Sequence, residues 1–268
     1  MSTKFLHRED SPFEEEIWDR IDETVIEAAK SQLSARQLLH VEGPYGLGLK
    51  SITSSDMNQK ESERANISVS EILPLAEIHQ DFSLPIRDIA NYERFNKPLN
   101  LKTAAQAAIA CAKQEDSFLY YGSKPRGIDG LLNSEGTQSI ELQPWDEVGT
   151  AVNDIIQAIT KLDDAGFHGP YTLGLAPQRF NLLFRRYPRG NMTEMDHLKS
   201  IITKKTVKAP SISSGGVVLS YGGQYASIVL GQDLMTGFIG PSGAEYEFIV
   251  FESLTLRLLQ PAAVCILK

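Results

Sequence analysis

Apolar and polar residues recur at helical spacing along several long stretches of the chain and alternate at strand spacing in others. The clearest helix runs from Thr103 to Tyr121, TAAQAAIACAKQEDSFLYY. Its alanines carry high helix propensity, and Thr103 and Gln106 have the spacing of a capping box. Gly122 follows as a stop, with Pro125 beyond it. Ala105, Ala108, Ile109 and Ala112 fall on one face that continues to Leu119, a small-residue stripe that lets neighbouring elements approach closely. Upstream, Ser11-Pro12-Phe13-Glu14 reads as a helix start. Ile17, Ile21, Val25, Ala28 or Ala29, and Gln32 or Leu33 then repeat at helical spacing over about six turns. Two readings of that stripe stand: it covers the core, or part of it offers a groove to a peptide.

From Ala76 to Leu84 the even positions are Ala, Ile, Gln, Phe and Leu and the odd ones Glu, His, Asp and Ser, the pattern of a half-buried strand. Ile86 to Arg94 reads as a short helix. Further helices are predicted over Trp145–Asp164, Pro177–Arg186 and Thr193–Ile201. A hairpin-like strand pair, Gly216–Tyr221 with Tyr225–Leu230, is expected around Gly222-Gly223. A long strand over 246–259 and a last one over Ala263–Leu267 complete the chain. The class is α+β, with a segment of about 128–222 inserted between two parts of a second unit. Residues 48–72 are polar with alternation only at their ends, and a compact monomer has little use for such an excursion. They form either a β-hairpin arm ordered by a neighbouring subunit or a loose loop.

Composition narrows the function classes. A chain of 268 residues with 42% hydrophobic content can bury a sizeable core, and no run approaches the ~20 apolar residues of a membrane span. The opening MSTKFLHRED has no apolar signal region, so no export signal is expected and the cytoplasm is the expected compartment. The two cysteines, Cys111 and Cys265, sit within apolar patterns as buried free thiols rather than a disulfide. The net charge of −8 argues against general nucleic-acid binding. It is uneven: residues 9–27 are strongly acidic, whereas 181–208 are basic.

No catalytic constellation emerges. The chain has no Gly-x-Ser-x-Gly elbow, no His-Glu-x-x-His and no phosphate-binding glycine loop, and its five histidines (7, 40, 79, 168 and 197) lack metal-ligand spacing. Glu14-Glu15-Glu16 fits helix-dipole compensation better than a carboxylate dyad. The expectation is a protein that is not an enzyme, with no cofactor and no metal.

An ordered set of short motifs then resembles one family. Gln32-Leu33 with Arg36, Val41-Glu42-Gly43-Pro44-Tyr45-Gly46, Leu73-Pro74-Leu75, Glu93-Arg94 with Lys97-Pro98, Gly130-Leu131-Leu132, Gly169-Pro170-Tyr171-Thr172-Leu173 and Ile228-Val229-Leu230-Gly231-Gln232-Asp233-Leu234 are similar to encapsulins, the linocin-type bacteriocin family. The resemblance implies the tailed-phage major capsid fold. Residues 1–47 would be the N-terminal helix and the start of the peripheral domain, and 48–72 an extended loop. Residues 73–127 would be the peripheral domain with its spine helix, 128–222 the axial domain, and 223–268 returning peripheral strands. It further implies assembly of sixty copies, or a multiple, into an empty icosahedral compartment. That compartment would enclose a cargo enzyme, of peroxidase or ferritin-like class, recruited by a short terminal peptide. By position, Val25, Ala29, Leu33, Arg36, His40, Asp233 and Leu234 would line the cargo-peptide site, with Arg36 pairing a peptide carboxylate or carbonyl. His40 stands where the family has an acidic partner of that arginine, which would alter peptide preference or make it pH-sensitive. Arg87 stands where one branch stacks a tryptophan on flavin, so no flavin is expected by that route. Arg185, Arg186, Tyr187, Arg189 and Asn191 fall at the five-fold pore, where the arginines either favour anions or turn away, neutralised by Glu194 or Asp196. A prophage major capsid protein and a secreted antibacterial or hydrolytic protein are the competing readings.

Overall fold

The computed structural model describes residues 3–54, 70 and 72–268. After two short 3-10 turns come α1 (Glu15–Lys30), α2 (Ala35–Leu38), β1 (His40–Glu42), β2 (Ser51–Thr53), β3 (Ile72–Pro74), β4 (Ala76–Pro85), α3 (Ile86–Phe95) and α4 (Lys102–Tyr121). Then follow β5 (Gln138–Ile140), α5 (Thr150–Asp164), β6 (Tyr171–Leu175), α6 (Pro177–Leu182), α7 (Glu194–Leu198) and β7 (Lys205–Lys208). The chain closes with β8 (Gly216–Ser220), β9 (Ala226–Ser242), β10 (Glu245–Leu258) and β11 (Val264–Leu267).

Two sheets carry two cores. The first sheet has the order β1-β9-β10-β4, and its inner face packs on α1 and α4 through Ile228, Leu230, Phe238, Phe248, Val250 and Leu254. The second has the order β5-β11-β8-β6-β7, with α5 laid across it through Val152, Ile155, Ile159 and Leu162. β2 and β3 form a separate two-stranded antiparallel ladder, Ile52 opposite Leu73, at the base of the polar excursion. The middle of that excursion, where the sequence suggests an arm, lies outside the described residues.

The alternation over 76–84 is realised as β4, with Ile78, Phe82 and Leu84 buried and Phe82 stacked on Phe248. Several details differ from the sequence reading, each for a tertiary reason. α1 is 16 residues long rather than about six turns. Ser11 does not cap it, because its hydroxyl donates to the Arg8 carbonyl and accepts from Trp18 Nε1. The expected capping box of α4 is absent, since Thr103 Oγ1 donates to the Ser83 carbonyl on β4. The buried face of α4 runs through Ala104, Ala107, Ala108, Cys111, Ala112, Glu115 and Leu119, while Ala105 and Ile109 sit at its margin. Because α1 and the sheet grip this helix from two sides, its buried surface is wider than a single stripe. Gly122 does stop it: its φ is 68°, and a Cβ there would lie 2.1 Å from the Ile128 carbonyl oxygen.

The expected hairpin of Gly216–Tyr221 with Tyr225–Leu230 does not form. β8 belongs to the second sheet and β9 to the first, and the turn in which Tyr225 and Ala226 donate to the Gly222 carbonyl hands the chain from one sheet to the other. At the C-terminus β11 pairs with β8 and β5, so the last strand lies in the sheet of the inserted unit rather than with 223–258.

Candidate functional site

Arg36 lies on α2, a single turn wedged between α1 and β1. Its Nε and Nη2 grip Glu115 of α4 at 2.7 and 2.8 Å. Nη2 also donates to Glu252 of β10 at 2.8 Å, and Nη1 to Asp233 of β9 at 2.7 Å. The side chains of Glu115 and Glu252 are fully buried, while that of Asp233 is 45% exposed. A β-bulge aims Asp233 at the arginine: Phe251 pairs with Met235 and Ser253 with Gln232, leaving Asp233 and Leu234 together opposite Glu252. Burial alone would lower the pKa of Arg36, but the hydrogen bond and charge of Glu115, with the charge of Glu252, hold it above the usual arginine value. Burial, then the neighbouring Glu115 charge, raises Glu252 well above the ordinary glutamate range. One residue further along α4, Asp116 accepts from the backbone N–H groups of Ser34 and Ala35 and from the Ser34 hydroxyl. Burial still pushes it up to about 6.

The structure thus brings Arg36 and Asp233 into direct contact, with Leu33 and Leu234 half-buried on the rim of the same core. Val25 and Ala29 are inside, packed in that core. His40 does not take the place of an acid beside Arg36; it meets Tyr221 edge-to-face at 6.4 Å, and Glu115 and Glu252 supply the carboxylates. Arg36 is therefore already saturated with acids, which leaves it poorly placed to receive a further carboxylate.

The basic loop is a small hairpin closed by a bridge between Arg186 and Thr193 and by the Tyr187 N–H on the Met192 carbonyl. Arg185 points back into the domain, donating to the Trp145 carbonyl and to buried Glu194, whose other oxygen accepts from the Gly149 N–H. Tyr187 is tied to His197 Nδ1 at 3.0 Å. Arg189 and Asn191 are exposed at the tip, and Arg186 is exposed beside them. Arg87, on α3, is exposed at the margin of the first sheet.

A further feature escaped the sequence reading. The second face of the first sheet, carrying Ile249 and Phe251, is covered by the N-terminal residues, and cavities of about 410 and 530 Å³ flank Phe5 and Leu6 there. Tyr45, Leu47 and Ile239 complete their walls. The signal was present: FIVF in β10 is apolar at consecutive positions, so both faces of that strand require cover. Among the described residues no group of His, Cys, Asp or Glu is arranged to hold a metal, and no helix is long and apolar enough to cross a membrane.

A long helix under a four-stranded sheet, a second unit that carries a basic hairpin and, among the described residues, a separate two-stranded ladder make up the tailed-phage major capsid protein fold. The fold is similar to that of a virus-like particle from Pyrococcus furiosus (TM-score 0.76, 22% identity, 94% of this chain and 100% of that one). It is also similar to the capsid of Myoviridae phage XM1 (TM-score 0.59, 14% identity, 85% and 88%). The chain belongs to the Linocin_M18 family, described as encapsulating protein for peroxidase, whose model matches residues 3–255. Its relatives include the type 1 encapsulin shell protein EncA of Myxococcus xanthus (strain DK1622), 29% identical over 276 residues and covering 98% of this chain and 96% of that protein.

Proposed function

We propose that this chain is the structural subunit of a closed icosahedral compartment that encloses a cargo enzyme and has no chemistry of its own. The observation that carries this reading is the β2–β3 ladder. Among the described residues it belongs to neither sheet, and Ile72 on it is 63% exposed. An isolated two-stranded ladder is marginal in water. Pairing against a neighbouring copy supplies what the subunit lacks, and closure uses every such edge. The membership of a peroxidase-encapsulating family supports cargo of that class. The cargo's terminal peptide docks on the rim formed by Leu33, Asp233 and Leu234, with Val25 and Ala29 shaping its floor from inside and Arg36 holding Asp233 in place. Arg186, Arg189 and Asn191 face the five-fold pore, with Arg185 and Tyr187 as the struts of the hairpin. The compartment is cytoplasmic.

Size-exclusion chromatography and electron micrographs of the purified protein, with mass-spectrometric identification of whatever is enclosed, test the proposal. Uniform hollow particles containing a second protein are expected. A stable monomer, or particles packed with DNA beside portal components, would replace the reading with another.

A further inference from the structure

Four charged side chains meet where α2, α4, β9 and β10 converge, and their stoichiometry is uneven: one guanidinium against three carboxylates. Asp233 reaches solvent, so its charge is hydrated. Glu115 and Glu252 do not, and two adjacent buried carboxylates served by one cation cannot both ionise cheaply. Glu252 carries the mark of the excess: its Oε2 accepts from Arg36, while Oε1, fully enclosed, has no hydrogen-bond partner among the described residues. An ionised carboxylate left with a bare buried oxygen is costly, whereas a carboxylic acid in the same place is far less so.

We propose that Glu115 and Glu252 hold a single proton between them, and that its loss loosens this junction and with it the assembled wall, a latch that releases on the alkaline side. The inference rests on the shell reading only for its last step; the shared proton stands on the subunit alone. The other titratable groups facing the pair are Arg36 on α2, Asp233 on β9, and Cys111 and Asp116 on α4. On β4, Ile78 is the register partner of Glu252, between exposed Glu77 and His79. Cys111, pushed up to about 12 by burial and by these two glutamates, stays protonated throughout the working range. Asp116, Glu77 and His79 are common to all variants, so whatever they contribute cancels in a comparison between them.

The direction follows from linkage. In the unfolded chain Glu252 ionises at about 4.3. The folded protein keeps that proton to higher pH, so stability conferred by it is complete in acid and falls as pH rises until the folded group itself ionises. Over that interval the folding equilibrium shifts by about tenfold per pH unit for one proton.

The test uses assembled particles of the wild type and of Glu252→Gln, which mimics the protonated acid. Thermal midpoints and light scattering are followed from about pH 5 to 9, together with the infrared carbonyl band of a neutral carboxylic acid across the same range, above the ordinary carboxylate pKa of about 4. The wild type should lose midpoint and particle integrity relative to Glu252→Gln as pH rises, and should show a neutral-acid band that the variant lacks. Parallel pH profiles, or no such band in the wild type, would overturn the proposal. If Glu252→Gln does not assemble, Glu115→Gln removes the same proton, and the wild-type band decides by its presence or absence. A purified subunit that forms no particles but shows the band would sink the shell reading and leave the shared proton standing.

Discussion

Replacing Arg36 by methionine would strip the one cation from three carboxylates while keeping much of the length of the side chain. Four charge-assisted hydrogen bonds of 2.7–2.8 Å disappear. Asp233 can turn to water, but Glu115 and Glu252 are sealed. Removing one partner of a buried pair costs about 3–5 kcal/mol, because the remaining charge is left uncompensated. With two buried acids, one already neutral, a single carboxylate is stranded, and the lower half of that range applies. For a domain of this size the loss corresponds to a thermal midpoint lowered on the order of 10 °C. Differential scanning fluorimetry of Arg36→Met beside the triple variant Arg36→Met, Glu115→Gln, Glu252→Gln measures it, and the triple variant should recover most of the loss. If Arg36 served only to grip a cargo peptide, the single variant would keep its midpoint and lose only cargo. A midpoint unchanged within about 2 °C, roughly 1 kcal/mol or less, would refute a structural role for this arginine.

Arg185→Ala and Arg189→Ala should behave oppositely. The first strands buried Glu194 and destabilises the subunit by about 2–4 kcal/mol in chemical unfolding; the second leaves stability unchanged, and in particles Arg189→Glu shifts the entry rate of a small anionic substrate. Gly122→Ala should cost more than about 2 kcal/mol, since its Cβ would meet the Ile128 carbonyl at 2.1 Å with φ at 68°. Asp116, raised to about 6, binds a proton more tightly folded than unfolded, so its contribution is present in acid and is lost as pH climbs from about 4 to 6. Unfolding midpoints of Asp116→Asn should fall less over that interval than those of the wild type. Ile72→Asp should leave the subunit's circular dichroism intact and abolish particles.

What was legible in the chain was local. The β4 alternation, the long helix with its glycine stop, and the Thr193 start of α7 could be read because each depends on neighbours within a few residues. Thr193 and Asp196 do form a capping box. The failures are where a distant group outbid a local one: Thr103 turned to Ser83, and Ser11 to Arg8 and Trp18. β8 and β9 resemble a hairpin in sequence, yet strand pattern carries no information on which sheet each joins. The Arg36 cluster was half visible, as a motif arginine and a motif aspartate. Glu115 and Glu252 stand 79 and 216 positions from Arg36, one inside a helix and one inside an apolar strand, where periodicity alone marks an acid as solvent-facing. For the basic loop the sequence leaves two outcomes, arginines lining a pore or turned away onto Glu194 or Asp196, and it cannot sort them residue by residue: Arg185 belongs to the interior through Glu194, while Arg186 and Arg189 are exposed.

As a shell subunit, each copy of this chain must cover the leftover edges of its neighbours. Charge-detection mass spectrometry of the purified particle, paired with cryo-electron microscopy, tests that most directly. It should give an outer shell of sixty copies of the 29.7 kDa subunit, or a multiple, with icosahedral symmetry and the β2–β3 ladder seated on a neighbour. A monodisperse monomer at every concentration and ionic strength, or an open oligomer whose ladders face solvent, would contradict it.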